Sequence, residues 1–176
     1  MPKPLLRRLL NRVLHTCARH APGATSLRPF LHRLRGMKIG ADVFIGDEVY
    51  LENEYPECVE IGDGVQISLR AVVLAHTRGA GRVVIEKSAY IGPQVVIACS
   101  GTRELRIGAG SVLSAGCMIT RDVPSGVLMS VDPPRSVASV TLPLSEAETF
   151  QDFVRGLRPI RTQKATPAAE PASDSK

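Results

Sequence analysis

The chain has no tryptophan, and aromatic residues make up 4% of its 176 positions. A core built on rings is therefore excluded, and the interior has to come from Ile, Val, Leu and Ala. No apolar run approaches the length of a membrane span, and arginines break the first leucine-rich stretch too early for a secretory signal. The four cysteines (Cys17, Cys58, Cys99 and Cys117) show no CxxC or other metal-ligand spacing. They read as reduced thiols of a cytoplasmic protein with no metal. Acidic residues are missing altogether from positions 1–38, which hold nine Lys or Arg, while the remainder carries thirteen bases against seventeen acids. The net charge of +5 thus joins a basic leader to an acidic body. The basic residues lack interleaved aromatics and any nucleic-acid-binding motif, so no nucleic-acid partner is expected.

What the chain does have is a six-residue rhythm between Ile39 and Pro124. Aliphatic openers fall at Ile39, Ile45 and Leu51, at Ile61, Ile67 and Val73, at Ile85, Ile91 and Ile97, and at Ile107, Leu113 and Ile119. The spacing is six within every group and ten, twelve and ten between groups. A period of six does not fit an amphipathic helix, and it suits a short strand followed by a tight corner. Three units per group predict a triangular coil, four groups predict about four coils, and stacking buries the openers in one continuous core. Cys117 falls at an inward small position of its unit. The extra residues always enter after the third unit, so all three insertions should emerge at one corner of the prism. Loops carry sites while coils supply scaffold, which marks that corner for function.

The flanks read differently. Residues 4–20 place Leu5, Leu6, Leu9, Leu10, Val13 and Leu14 at helical spacing, with Arg7, Arg8, Arg12 and Arg19 largely off that stripe. Two roles fit such a helix. Its stripe packs on the first coil and caps the open end of the solenoid, or the helix also touches a membrane interface through residues 1–20, drawn by anionic lipid. Past the coils, Pro133-Pro134 ends the repeat. Ser145 with Glu148 reads as a capping box opening a short helix to about Arg155, with Gly156 at its C-terminal turn. The expected organisation is a basic helical segment over 1–38, a repeat domain over 39–137, a segment with a short helix over 138–160, and a disordered tail over 161–176.

Of the four histidines, His15, His20 and His32 precede the repeats, and only His76 stands within them, at the start of the longest insertion. A neutral imidazole there is suited to take a proton from an attacking hydroxyl near pH 7. A base also needs an orienting partner on its second ring nitrogen. Glu52, Glu54 and Glu57 lie in the first insertion, at the same corner one coil away, and the sequence does not choose among them.

The run Val84-Ile85-Glu86-Lys87-Ser88-Ala89-Tyr90-Ile91-Gly92-Pro93 resembles a late-coil motif of the hexapeptide-repeat acyltransferases. So do Ile107-Gly108-Ala109-Gly110-Ser111-Val112-Leu113-Ser114-Ala115-Gly116 and Ile119-Thr120-Arg121-Asp122-Val123-Pro124. The resemblance covers roughly residues 36–137. It implies an all-β, left-handed parallel β-helix of about four triangular coils, a homotrimer, and acyl transfer from acetyl-CoA with no metal. It also implies His76 as the catalytic base, Pro93 and Ala115 along the pantetheine path, and Thr120, Arg121 and Arg135 at the nucleotide end. The basic leader followed by Leu34-Arg35-Gly36-Met37-Lys38-Ile39-Gly40 is similar to the polysaccharide and lipopolysaccharide branch. That points to a sugar or glycan acceptor, in some members lipid-linked, met in the cytoplasm or at the inner face of the membrane. Two departures stand out: the sugar-contacting asparagine has no clean counterpart, and Val131 replaces a glycine. They leave a non-catalytic β-helix scaffold as the alternative, with a serine acetyltransferase-like enzyme behind it.

Overall fold

The structure is a computed structural model in which residues 4–77, 79, 81–132 and 136–160 are described. The chain divides between Val131 and Asp132 into two compact units.

The first unit opens with two helices, α1 (Leu5–His20) and α2 (Leu27–Leu34). Pro22 stands just past α1 and cannot continue it, and Gly36, at φ 102°, turns the chain after α2. Short strands then follow in threes. They are β1 (Lys38–Ile39), β2 (Phe44–Ile45) and β3 (Tyr50–Leu51), then β4 (Val59–Ile61), β5 (Gln66–Ile67) and β6 (Val72–Leu74). Next come β7 (Arg82–Ile85), β8 (Tyr90–Ile91) and β9 (Val96–Ala98), then β10 (Glu104–Ile107), β11 (Val112–Leu113) and β12 (Met118–Ile119). Strands stack in parallel as three faces, β1-β4-β7-β10, β2-β5-β8-β11 and β3-β6-β9-β12, and β13 (Leu128–Met129) extends the second. This is the expected β-helix of about four turns, matching the left-handed form.

The register puts opener on opener: Ile39 on Ile61 on Ile85 on Ile107, and Ile45 on Ile67 on Ile91 on Leu113. Ile45, Ile61, Ile67, Ile91, Ile107 and Ile119 are all buried, as is Cys117. Each such aliphatic side chain contributes about 1.5–3 kcal/mol by leaving water. The small residue after an opener has a steric cause. A Cβ built on Gly92 would lie 2.5 Å from the Leu113 carbonyl oxygen, so the next coil approaches too closely for a side chain. Two of the three corners turn on one left-handed residue per coil, Asp42, Gly64, Ser88 and Gly110 at one and Glu48, Arg70, Gln94 and Gly116 at the other. The third corner holds the insertions, all three of them between a third-face strand and a first-face strand.

The faces differ outside. On the first, Lys38, Glu60, Arg82, Glu104, Arg106 and Glu86 form a ladder of ion pairs. The outward columns of the other two are largely apolar: Phe44, Gln66, Tyr90, Val112 and Leu128 on the second, Tyr50, Val72, Val96 and Met118 on the third.

The helices cap the first coil, but not with the leucine stripe. The buried residues of α1 are Asn11, His15 and Ala18, and those of α2 are Arg28, Pro29 and His32. Leu5, Leu6, Leu9, Leu10 and Val13 are exposed, and only Leu14 is half-buried. The reason is hydrogen-bonding demand at the coil end, where backbone carbonyls have no next coil to bond. Arg28 donates to the Ile45 carbonyl at 2.9 Å and pairs with Asp47, and Arg35 donates to the Glu52 carbonyl at 2.5 Å. A leucine face would have left those acceptors buried and unpaired.

In the second unit, β14 (Ala138–Val140) pairs antiparallel with β15 (Leu157–Pro159), and α3 (Phe150–Arg155) lies between them in sequence. The helix does not start at the Ser145/Glu148 box. Thr149 is its N-cap, with its hydroxyl accepting from the Asp152 amide at 3.2 Å, so the same chemistry operates four residues later. Gly156 is at the C-cap as expected. The tail expected to be disordered over 161–176 lies outside the described residues, as does Arg135.

Candidate active site

His76 stands where the second insertion leaves the third face, two residues beyond the end of β6. Its Nδ1 lies 2.6 Å from Oε2 of Glu52, which ends the same face one coil earlier. Glu52 is fully buried, while the imidazole is about one-third exposed (35%). An ionised carboxylate only accepts, so the Nδ1 proton points at Glu52 and Nε2 is left with its lone pair. Of the three glutamates at this corner, it is Glu52 that meets the ring. Glu54 instead forms an ion pair with Arg8 at 3.8 Å.

Burial alone would push the Glu52 carboxyl up. The hydrogen bond from His76 and the amides of Ala75 (2.9 Å), Tyr55 (3.1 Å) and Glu54 (2.8 Å) outweigh burial and hold it below the usual carboxylate range. Both oxygens are therefore engaged and the ring has one place to point. Tyr55 closes the other side, edge-on to His76 with ring centroids 5.4 Å apart. The third insertion joins in, because Thr77 donates through its hydroxyl to the Cys99 carbonyl at 2.5 Å. Three loops that are distant in sequence thus meet at one corner.

Behind the pair lies a buried polar layer that nothing in the residue spacing announced. Arg35 donates to Asn11 Oδ1 at 2.8 Å and to the Leu51 and Glu52 carbonyls, and its third arm sits 2.7 Å from His32 Nδ1. Burial lowers its pKa to about 10, against the opposing pull of Glu52 and Tyr50. His15 and His32 are lowered to about 4 and about 3, first by burial and then by Arg35, so both are neutral.

The residues expected along a cofactor path fall into two places. Pro93 and Ala115 stack at the corner before the third face, where the Gly116 amide donates to the Pro93 carbonyl at 2.9 Å. Thr120 and Arg121 lie at the far edge, in the column that runs from Leu74 through Ala98, and so on the His76 side. The structure does not bring these two sets together within one chain; the width of the third face separates them. Ala115, Gly116, Thr120 and Arg121 are exposed, and a Cβ on Gly116 would meet nothing within 4 Å. Small residues, open backbone and an exposed cation fit a narrow anionic chain such as pantetheine phosphate. A groove of about 830 Å³ lies elsewhere: it runs over the first face among Lys38, Glu60 and Arg106 and is lined by no histidine.

No family model matches the chain. A protein of Bacillus subtilis (strain 168), "Putative acetyltransferase YvoF", is 30% identical over 138 residues, which cover 76% of this chain and 78% of that one. The chain belongs to the hexapeptide-repeat acetyltransferases. Another relative of this acetyltransferase is the bifunctional protein GlmU of Polaromonas naphthalenivorans (strain CJ2), 33% identical over 114 residues, covering 57% of this chain but 23% of that one. Among solved structures, a galactoside acetyltransferase in complex with coenzyme A shares the fold at a TM-score of 0.51 and 18% identity, over 70% of this chain and 75% of that one. So does VCA0836 of Vibrio cholerae O1 biovar eltor, complexed with acetyl coenzyme A, at 0.50 and 18%, over 70% and 81%.

Proposed function

We propose that this acetyltransferase moves acetyl from acetyl-CoA to a hydroxyl of a sugar in an envelope or exported glycan, with His76 as general base. The observation that carries the reading is the His76–Glu52 pair at the insertion corner. Nε2 takes the hydroxyl proton as the oxygen attacks the thioester carbonyl. The C–S bond then breaks, and the imidazolium returns the proton to the departing thiolate. Glu52 holds the tautomer and stabilises the charge that develops on the ring.

The acyl donor would lie along Pro93 and Ala115 at one edge and Thr120 and Arg121 at the other. Because a face separates the two edges, the donor site is complete only when two chains meet. That supports a homotrimer, as do the apolar outward columns of the second and third faces beside the charged first face. The coenzyme A and acetyl coenzyme A complexes of the two solved relatives point to the same donor. The acceptor would be met in the cytoplasm or at the inner face of the membrane.

The test is acetyl transfer from acetyl-CoA across a panel of sugars. His76→Ala should lower turnover by about 10²–10⁴ while CoA binding and the melting temperature hold. Near wild-type turnover in that variant would remove the base from His76. No transfer to any sugar and no CoA binding would put a non-catalytic scaffold in its place.

A further inference from the structure

We infer that α1 and α2 together form a docking platform for an anionic lipid surface. This deepens the membrane-face placement proposed above, and its test is independent of acetyl transfer.

The observation is an inverted pair of amphipathic helices. At about 100° per residue, the exposed stripe of α1 lies nearly opposite its buried Asn11, His15 and Ala18. Leu5 and Leu6 are 81% and 78% exposed and Leu9 is 60% exposed, values that no packed helix face would give. The second helix repeats the inversion. It buries Arg28, Pro29 and His32 and presents Leu27, Phe30 and Leu34. The two stripes adjoin, since Leu10, Leu14 and Leu34 line one shallow cleft together with Arg7. One apolar surface therefore spans both helices.

Charge identifies the occupant. Arg7, Arg8, Arg12 and Arg33 are exposed on these same two helices, and positions 1–38 hold no acid. An apolar strip edged by arginine matches an interfacial helix, with the leucines among acyl chains and the guanidinium groups at anionic headgroups. A second copy of the chain would bring its own Arg7, Arg8, Arg12 and Arg33 against the same face, which opposes self-pairing through it. No described helix is long and apolar enough to cross a membrane, so contact would be in the plane of the surface.

The platform also borders the catalytic corner. Leu5, Arg8, Leu9 and Arg12 line a cleft of about 270 Å³ against Asn53 and Glu54, the residues between Glu52 and Tyr55. A docked enzyme would thus face the leaflet with the side that carries the His76 loop, and its acceptor would be one held at that surface.

The experiment uses the full chain and sedimentation with vesicles of phosphatidylcholine alone or mixed with phosphatidylglycerol. The chain should bind the mixed vesicles, bind less as salt rises, and bind phosphatidylcholine weakly. Leu6→Ser with Leu9→Ser should lower the partition coefficient by at least about tenfold, with the melting temperature and the oligomeric state unchanged. Absence of binding to the mixed vesicles would overturn the platform, as would binding that the double variant leaves intact. A double variant that dissociates the oligomer would assign the face to contact between copies instead.

Discussion

Glu52 and His76 are 24 residues apart in the chain and 2.6 Å apart in space. One coil of the β-helix accounts for most of the difference, since Leu51 and Val73 are register partners on the third face and His76 lies two residues beyond the end of β6. The ladder brings the two segments together, and the turn just past β6 carries the ring to Glu52. The pair leaves the scaffold at the one edge where the chain is free to carry loops.

Removing the charge while keeping the shape tests that pairing. Glu52→Gln should lower kcat by about 10²–10⁴, because an amide no longer holds the ring tautomer or stabilises its protonated form. The KM for acetyl-CoA should stay nearly constant, since the residues proposed to hold the donor lie elsewhere. Steady-state kinetics on any accepted sugar decide this, and an unchanged kcat would separate Glu52 from the chemistry.

The pair and the helical cap were legible to different degrees. Ile45, Ile67 and Ile91 announced inward positions because a parallel ladder keeps identical residues in register. The ten-, twelve- and ten-residue spacings located the insertion corner by simple counting. Nothing comparable marks Arg35. Its partners Asn11, Leu51 and Glu52 are 24, 16 and 17 residues away, in a pattern with no period to detect. The leucines of α1 misled for a related reason. Their spacing reports that a face is apolar, not whether protein covers it, and the polar needs of the coil end decided which side packs. Glu52 could be narrowed only to a group of three, because choosing among them requires knowing where the chain turns after β3.

The buried histidines make stability pH-dependent. His15 faces Arg12, Arg19, Arg35, Glu52, His32 and Tyr50, and His32 faces Arg35 and His15. Their folded pKa values, about 4 and about 3, lie below the ordinary histidine value of 6.5. Below that value the unfolded chain takes up protons that the folded chain refuses. Stability is thus full above pH 6.5 and lost as pH falls toward 4. From pH 6.5 to 5 each histidine should cost about 2 kcal/mol. Thermal melts across that range should show the decline, and His15→Phe should roughly halve it. A flat wild-type profile would mean the histidines are not shielded.

Assembly can be tested on the third face. Met118 is 70% exposed in the single chain and continues the outward column of Tyr50, Val72 and Val96. Met118→Glu should place like charges together in a trimer. The expected result is a fall in sedimentation mass from three times the 18.9 kDa chain to one, with loss of acetyl transfer. An active, trimeric Met118→Glu protein would move the interface to another face.

The gathering of all three insertions at one corner separates two kinds of change. Residues along the coils are bound by register: a shift at Ile91 or Gly92 is felt at once in the coils above and below. An insertion between coils is not held to that register in its length, and each doubling of a flexible loop costs only about 0.6 kcal/mol. A fold arranged this way can revise what it recognises by rewriting a single border of the prism. The acceptor is then free to diverge from one descendant to the next, while Glu52 stays anchored at the end of a ladder that scarcely changes.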